Sequence, residues 1–249
     1  MSTPFDRFVT SRRASWADFR ENHPRTWSAL YPGYRLYRQT RRLAYRASYR
    51  RLRGFTRLSK EGFCDNLALC DTVRHLPGTV IECGVWRGGM SAGMARTLGP
   101  SRTYYLFDSF EGLPPATAAD GYNHRGRTAV EWQAGTTHNE RAPEEAAREA
   151  MRHSDARDVR IVKGWFKDTL PTYPGDPIAI LRCDGDWYSS TMETLTALYR
   201  YVVPGGLIIF DDYYYWEGCA KAVHDFLAQT QATERIHQSP GGYAYLLKR

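Results

Sequence analysis

The sequence contains no apolar run approaching the roughly 18 residues that a membrane-spanning helix needs. Its mean hydropathy is −0.56. The Arg-rich N-terminus lacks the apolar stretch of a secretory signal. Five cysteines, Cys64, Cys70, Cys83, Cys183 and Cys219, are scattered, odd in number and without Cys-x-x-Cys spacing. That pattern argues against a disulfide framework or a zinc site. The expected compartment is reducing and cytoplasmic. The dinucleotide fingerprint Gly-x-Gly-x-x-Gly is also missing, because Trp86 stands at its second glycine. An indole there leaves no room for a pyrophosphate, which disfavours a nicotinamide dehydrogenase.

What is there fits one α/β domain of ordinary size, with 249 residues of which 42% are hydrophobic. Charge is placed unevenly. Residues 1–60 hold 15 Lys/Arg against three Asp/Glu, a net +12, and residues 61–249 hold 19 against 24, a net −5. A basic arm on an acidic body, with no RNA-binding motif, predicts neither a nucleic-acid nor a membrane partner. The arm is placed at residues 1–58, partly helical, and the main domain at 59–249.

From Thr79 onward short apolar runs alternate with helical patterns. Strands are predicted at 79–84, 103–108, 158–163, 178–183, 206–211, 233–238 and 243–248. Near-continuous runs such as IAIL and LIIF suit strands buried on both faces of a parallel sheet. Helices are predicted at 59–76, 88–98, 187–202 and 217–228, the third from Tyr188, Met192, Leu195, Tyr199 and Val202 recurring on one face. This is an alternating, doubly wound layout. The short turn Ser239-Pro240-Gly241-Gly242 makes the last two strands an antiparallel hairpin. Residues 111–142, rich in Gly, Pro, Thr and Ala, break the rhythm and are read as a lid or substrate loop.

Three signals carry chemistry. Glu82-Cys-Gly84-Val-Trp-Arg-Gly88-Gly89 follows a strand and opens a helix, so acid-x-Gly-x-x-x-Gly presents a tight turn and free amides to a ligand. An acid at its head suits a cationic amino group; an ordinary β–α turn is the alternative. Asp108 ends the next strand, 24 residues after Gly84, where a carboxylate can accept both hydroxyls of a ribose or can simply shape a turn with Ser109. Asp184, Asp211 and Asp212 end two strands. In open α/β sheets ligands bind beyond the carboxyl ends of strands, so converging acids there call for a hard dication, magnesium before manganese or calcium. Asp186 either takes part in the chemistry or caps the helix that begins beside Trp187. Tyr213, Tyr214, Tyr215 and Trp216 either wall a substrate pocket or pack under the lid. His124 and His138 fall in the lid and are read as exposed before catalytic, with His138 held as a reserve base.

IECGVWRGG, FDSFEGLP, the GWFKDTLP run at 164–171, DGDWYSST and the PGG–DDY–W–GC run from Pro204 to Cys219 together resemble the macrocin O-methyltransferase family of antibiotic tailoring enzymes. The resemblance covers about residues 60–249. It implies a class I methyltransferase (Rossmann-like) fold, a mostly parallel seven-stranded sheet with helices on both faces. It also implies S-adenosylmethionine and magnesium as cofactors and methylation of a hydroxyl on a glycosylated natural product. Glu82, Gly84, Gly88, Ser91, Asp108, Ser109, Gly164, Trp165 and Asp184 would then hold the cofactor, with Gly164 and Trp165 near the adenine. Asp184, Asp211 and Asp212 would hold the metal, and Asp184 or Asp186 would take the proton. A catechol- or phenol-type acceptor is the alternative. The expected partner is a small-molecule acceptor and the expected assembly a homo-oligomer.

Overall fold

The computed structural model describes residues 24–137 and 140–249; residues 1–23, His138 and Asn139 lie outside the described residues. Much of the arm and the reserve base His138 therefore fall outside it. The first helix, α1, runs Pro24–Leu52, and the larger compact unit spans residues 45–249. The larger unit begins earlier than the predicted 59. Tyr45, Ser48 and Leu52 are buried, Tyr45 Oη donates to Asp71 Oδ2 at 2.7 Å, and Ser48 Oγ accepts from Arg96 Nε at 3.1 Å. Within residues 24–44 the helix exposes Leu36 and Leu43 beside its arginines.

In the larger unit α2 (Lys60–Thr72) starts where Ser59 Oγ accepts the amide of Gly62. It is followed by β1 (Thr79–Cys83), α3 (Gly89–Leu98), β2 (Thr103–Asp108), α4 (Ala129–Ala134), α5 (Glu144–Arg152) and β3 (Asp158–Lys163). Then come α6 (Phe166–Thr169), β4 (Ile178–Cys183), α7 (Tyr188–Leu198), β5 (Val202–Phe210), α8 (Glu217–Gln229), β6 (His237–Gln238) and β7 (Ala244–Leu247). The sheet order is β3-β2-β1-β4-β5-β7-β6. All pairs are parallel except those of β7 with β5 and β6. The mostly parallel sheet with a C-terminal antiparallel hairpin is as expected.

Every residue of β1 and of β4 is buried, as strands covered on both faces require. One face packs on α2, α3 and α5 through Phe63, Leu67 and Met94. The other packs on α7 and α8 through Trp187, Leu195, Trp216 and Phe226. Each fully buried aliphatic side chain contributes about 1.5–3 kcal/mol of transfer free energy. β5 differs from the prediction by starting at Val202 and running through Pro204-Gly205-Gly206. The register shifts there, from Ile178↔Val202 to Ile180↔Leu207, so the sequence breaker is absorbed as an irregularity within the strand.

Registers align the carboxyl ends. Cys83 pairs with Phe107 and with Cys183, Cys183 with Phe210, and Asp108 with Lys163. The residues just beyond, Gly84, Asp184, Asp211 and Gly164, therefore share one rim with Asp108. The chain reverses its winding between β1 and β4, the position where open α/β sheets leave a crevice.

Within residues 111–137 the chain carries regular structure where composition suggests an irregular loop. They hold a 3-10 turn at Ala118–Asp120 and helix α4, each opened by a reciprocal cap, Thr117 with Asp120 and Thr128 with Glu131. No helix among the described residues is long and apolar enough to cross a membrane.

Candidate functional site

A cleft of about 700 Å³ opens along this rim, within the size range of small-molecule sites. Of the expected cofactor residues, Glu82, Gly84, Asp108, Ser109, Gly164, Trp165 and Asp184 line it. Gly88 and Ser91 do not. Gly88 begins α3 at φ 80°, and a Cβ there would come within 2.8 Å of Ala147 Cα, so this glycine serves helix–helix packing. Ser91 is buried and donates its hydroxyl hydrogen to Glu82. Gly84, at φ 91°, is required by its neighbour: a Cβ would sit 1.6 Å from the Asp184 carbonyl oxygen. Close approach of two strand ends is therefore one reason for this glycine, which also lines the cleft.

On the β1–β2 side the cleft wall is made of backbone. Asp108 Oδ2 accepts the amides of Val85 and Trp86, both at 2.7 Å, and Oδ1 accepts that of Phe110 at 2.6 Å. Asp108 is thus a turn-shaping acid that also lines the cleft. Burial raises its pKa, against the opposing pull of the three amides. Ser109 Oγ accepts from Glu111 N and donates to Gly112 O, closing the next turn.

On the β4–β5 side the wall is charged. Carboxylate oxygens of Asp184, Asp211 and Asp212 all lie within 4.8 Å of one another. They are not without a counter-charge inside the protein. Arg182, fully buried on β4, donates to Glu82 Oε1 at 2.7 Å, to Asp184 Oδ2 at 2.5 Å, to Asp211 Oδ1 and to Asn66 Oδ1 at 3.3 Å. Its signal was one charged residue inside the apolar run IAILRC, which a strand buried on both faces tolerates only with partners. Five carboxyls, Glu82, Asp184, Asp186, Asp211 and Asp212, still line the cleft beside one buried guanidinium, which pairs with only three of them. Burial raises the pKa of Glu82 to about 7 despite Arg182. Burial, then neighbouring carboxylates, raises those of Asp186 and Asp212, and burial raises that of Asp211. An all-oxygen donor set with this excess of negative charge fits a hard dication.

Asp186 does not cap α7. The N-cap is Trp187, and the free amide of Tyr188 is taken by Asp120 Oδ1 at 2.8 Å. Asp186 sits at φ 58° on the cleft, its Oδ1 accepting Trp216 Nε1 at 3.1 Å and its amide donating to Asp212 Oδ2 at 3.1 Å. The aromatic run splits between the two expectations. Tyr215 lines the cleft, whereas Trp216 is buried, edge-on to Trp187 and Trp132. Tyr213 Oη pairs with His224 Nε2 at 2.8 Å, and Tyr214 is exposed. His124 packs its ring 4.5 Å from that of Tyr215 and is not among the cleft-lining residues.

A family model described as macrocin-O-methyltransferase (TylF) matches residues 53–244. Demethyldecarbamoylnovobiocin O-methyltransferase of Streptomyces niveus is 39% identical over 168 residues, 65% of this chain and 63% of that protein. The chain thus spans just under two thirds of that relative's length. A Streptomyces olivaceus enzyme, 8-demethyl-8-(2,3-dimethoxy-alpha-L-rhamnosyl)-tetracenomycin-C 4'-O-methyltransferase, is 35% identical over 202 residues, 76% of this chain and 71% of its own. Among solved structures, the O-methyltransferase NovP aligns with a TM-score of 0.67 and 32% identity, covering 78% of this chain and 82% of that one.

Proposed function

The chain belongs to the macrocin O-methyltransferase family, a class I methyltransferase family, and from that premise we propose a specific reaction for it. It moves the methyl group of S-adenosylmethionine to a hydroxyl oxygen of a glycosylated small molecule, with a divalent cation, magnesium first, at Asp184, Asp211 and Asp212. The observation that carries the reading is the meeting, on one cleft, of the amide-built turn at Asp108 with three carboxylates within 4.8 Å.

The chain's own residues divide the work. Asp108 keeps its bonds to the turn and offers remaining lone pairs to the ribose hydroxyls. Gly164 and Trp165 flank the adenine. Glu82 has both oxygens engaged, by Arg182 and by Ser91, so it serves the cofactor's cationic amino group by charge and by fixing the turn. The donor would supply the methyl group by exchanging its sulfonium S–CH3 bond for the new O–CH3 bond, and Asp184 or Asp186 would take the hydroxyl proton. A cation at the three aspartates would lower the pKa of a hydroxyl bound to it. Alignment of oxygen, methyl and sulfur supplies much of the acceleration, which is why the wall is rigid backbone on one side. The rhamnosyl group in the name of the Streptomyces olivaceus relative suggests a glycosylated acceptor, and a homo-oligomer is the proposed assembly.

The test is transfer of label from methyl-labelled S-adenosylmethionine to a panel of glycosylated natural products and catechols. Labelled glycoside, abolished by EDTA and restored by magnesium, is expected. Labelling of catechols alone would move the acceptor to that class. Transfer by protein shown metal-free by elemental analysis would make the acid cluster structural.

A further inference from the structure

The first turn of any helix leaves amides without partners, and an Asp just before it is the usual group to take one. At α7 the N-cap is Trp187, whose indole has no acceptor, and the acid beside it, Asp186, is turned away. Its backbone is left-handed at φ 58°, its amide is tied to Asp212 and its Oδ1 to Trp216. The amide of Tyr188 is served instead by Asp120, 68 residues earlier in the chain. Asp120 is buried, and its other oxygen accepts the amide of Thr117 at 2.6 Å and the hydroxyl of Thr117 at 3.0 Å. Gly218, at the start of α8, leaves it no slack: a Cβ there would fall 2.6 Å from Asp120 Cα. Trp187 Nε1 donates to Pro114 O at 3.0 Å, a second tie from the same segment.

We propose that Asp120 is a positioning residue for methyl transfer: by capping α7 in place of Asp186, it holds the Asp184–Trp187 turn so that the Asp186 carboxylate faces the cleft. The inference rests on the reading of Asp186 as part of the transfer machinery. It also assigns a role to residues 111–128 that a covering lid would not have, that of a fixed brace behind the acids. Without Asp120 the acid next to the N-cap in sequence, Asp186, is left to cap α7, and capping would withdraw that carboxylate from Trp216 and from the cleft.

Crystal structures of wild type, Asp120→Ala and Asp120→Asn, each with S-adenosylhomocysteine, test the placement directly. In the Ala variant the bond from Trp216 Nε1 to Asp186 should be lost and the carboxylate displaced; in the Asn variant, which keeps an acceptor for Tyr188, it should stay. An unmoved Asp186 in the Ala variant overturns the proposal. Turnover with demethyldecarbamoylnovobiocin as acceptor should fall at least tenfold in the Ala variant and less than threefold in the Asn variant. Affinity for S-adenosylhomocysteine should remain within threefold. In an Asp186→Asn background the Ala change should cost less than twofold, because the two act as one unit; a full additive loss there overturns the proposal. If Asp186→Asn alone turns over at the wild-type rate, the reading of Asp186 fails, and the crystal structures still decide whether Asp120 holds it. If Asp120→Ala does not fold, Asp120→Ser, too short to hold Thr117 and Tyr188 together, takes its place with the same expectations.

Discussion

The two walls of the cleft are built from different materials. On the β1–β2 side three backbone amides converge on Asp108, and the geometry is set by chain segments next to the strand ends. On the β4–β5 side Arg182 bonds three acids from three strand ends, two of them remote in sequence. An amide wall is fixed by covalent geometry and local turns. A charged wall exists only while its counter-charge is in place, because like charges in a buried setting otherwise repel or take up protons. The first should therefore tolerate change gradually and the second should fail abruptly.

Arg182→Met is the sharpest way to break the comparison. It strands Glu82, Asp184 and Asp211 without their shared partner, and removing one side of a buried ion pair costs about 3–5 kcal/mol. Denaturant unfolding should show that loss, and saturating magnesium should recover part of it if the acids hold a cation. A loss below about 1 kcal/mol would mean that the carboxyls already carry protons and need no counter-charge.

A pH titration separates the walls more gently. Glu82 is raised from 4.5 to about 7, chiefly by burial. A raised carboxyl favours the folded state while it is protonated in that state, so its contribution is full below 4.5 and is lost as pH climbs through about 7. The upper limit is about 3 kcal/mol. The melting temperature of metal-free protein should fall between about pH 4.5 and 7, and Glu82→Gln should flatten that slope. A wild-type protein with no such fall would show that Arg182 keeps Glu82 ionised throughout.

The difference between the walls also decides what the sequence could tell. Strand ends are local features, so Asp108, Asp184, Asp211 and Asp212 could be placed on one rim from the apolar runs before them. Arg182 sits within such a run, and its partners lie on β1 and β5, so strand order was needed to see why it is there. Asp120 was harder still, since its bond to Tyr188 depends on how residues 111–142 dock. Their composition reads as loop, yet Thr128-Ala-Val-Glu131 is a capping box and predicts the short helix that follows. The start of the compact unit at Tyr45 was obscured because α1 continues through it with the same basic composition.

Asp108→Ala probes the amide wall. The substitution removes the acceptor proposed for the ribose and releases the amides of Val85 and Trp86. Affinity for S-adenosylhomocysteine should drop at least tenfold, about 1.4 kcal/mol, by calorimetry. Unchanged affinity would leave Asp108 as a turn residue alone.

The smallest effect concerns residues 111–142, expected from composition to close over ligands. Gln133 Nε2 donates to Pro114 O and its Oε1 accepts Ala116 N. The amide of Glu217 donates to Tyr122 O, and that of His124 to Tyr215 O. Trp132 packs edge-on to both Trp187 and Trp216. A segment held at so many points opens for a protease only when several of those bonds break together. Limited proteolysis should therefore cut slowly between 114 and 134 even without ligand, with less than a threefold change on adding S-adenosylhomocysteine and magnesium. Strong ligand protection across that stretch would support the closing lid, and Asp120 would then brace α7 in the closed form alone.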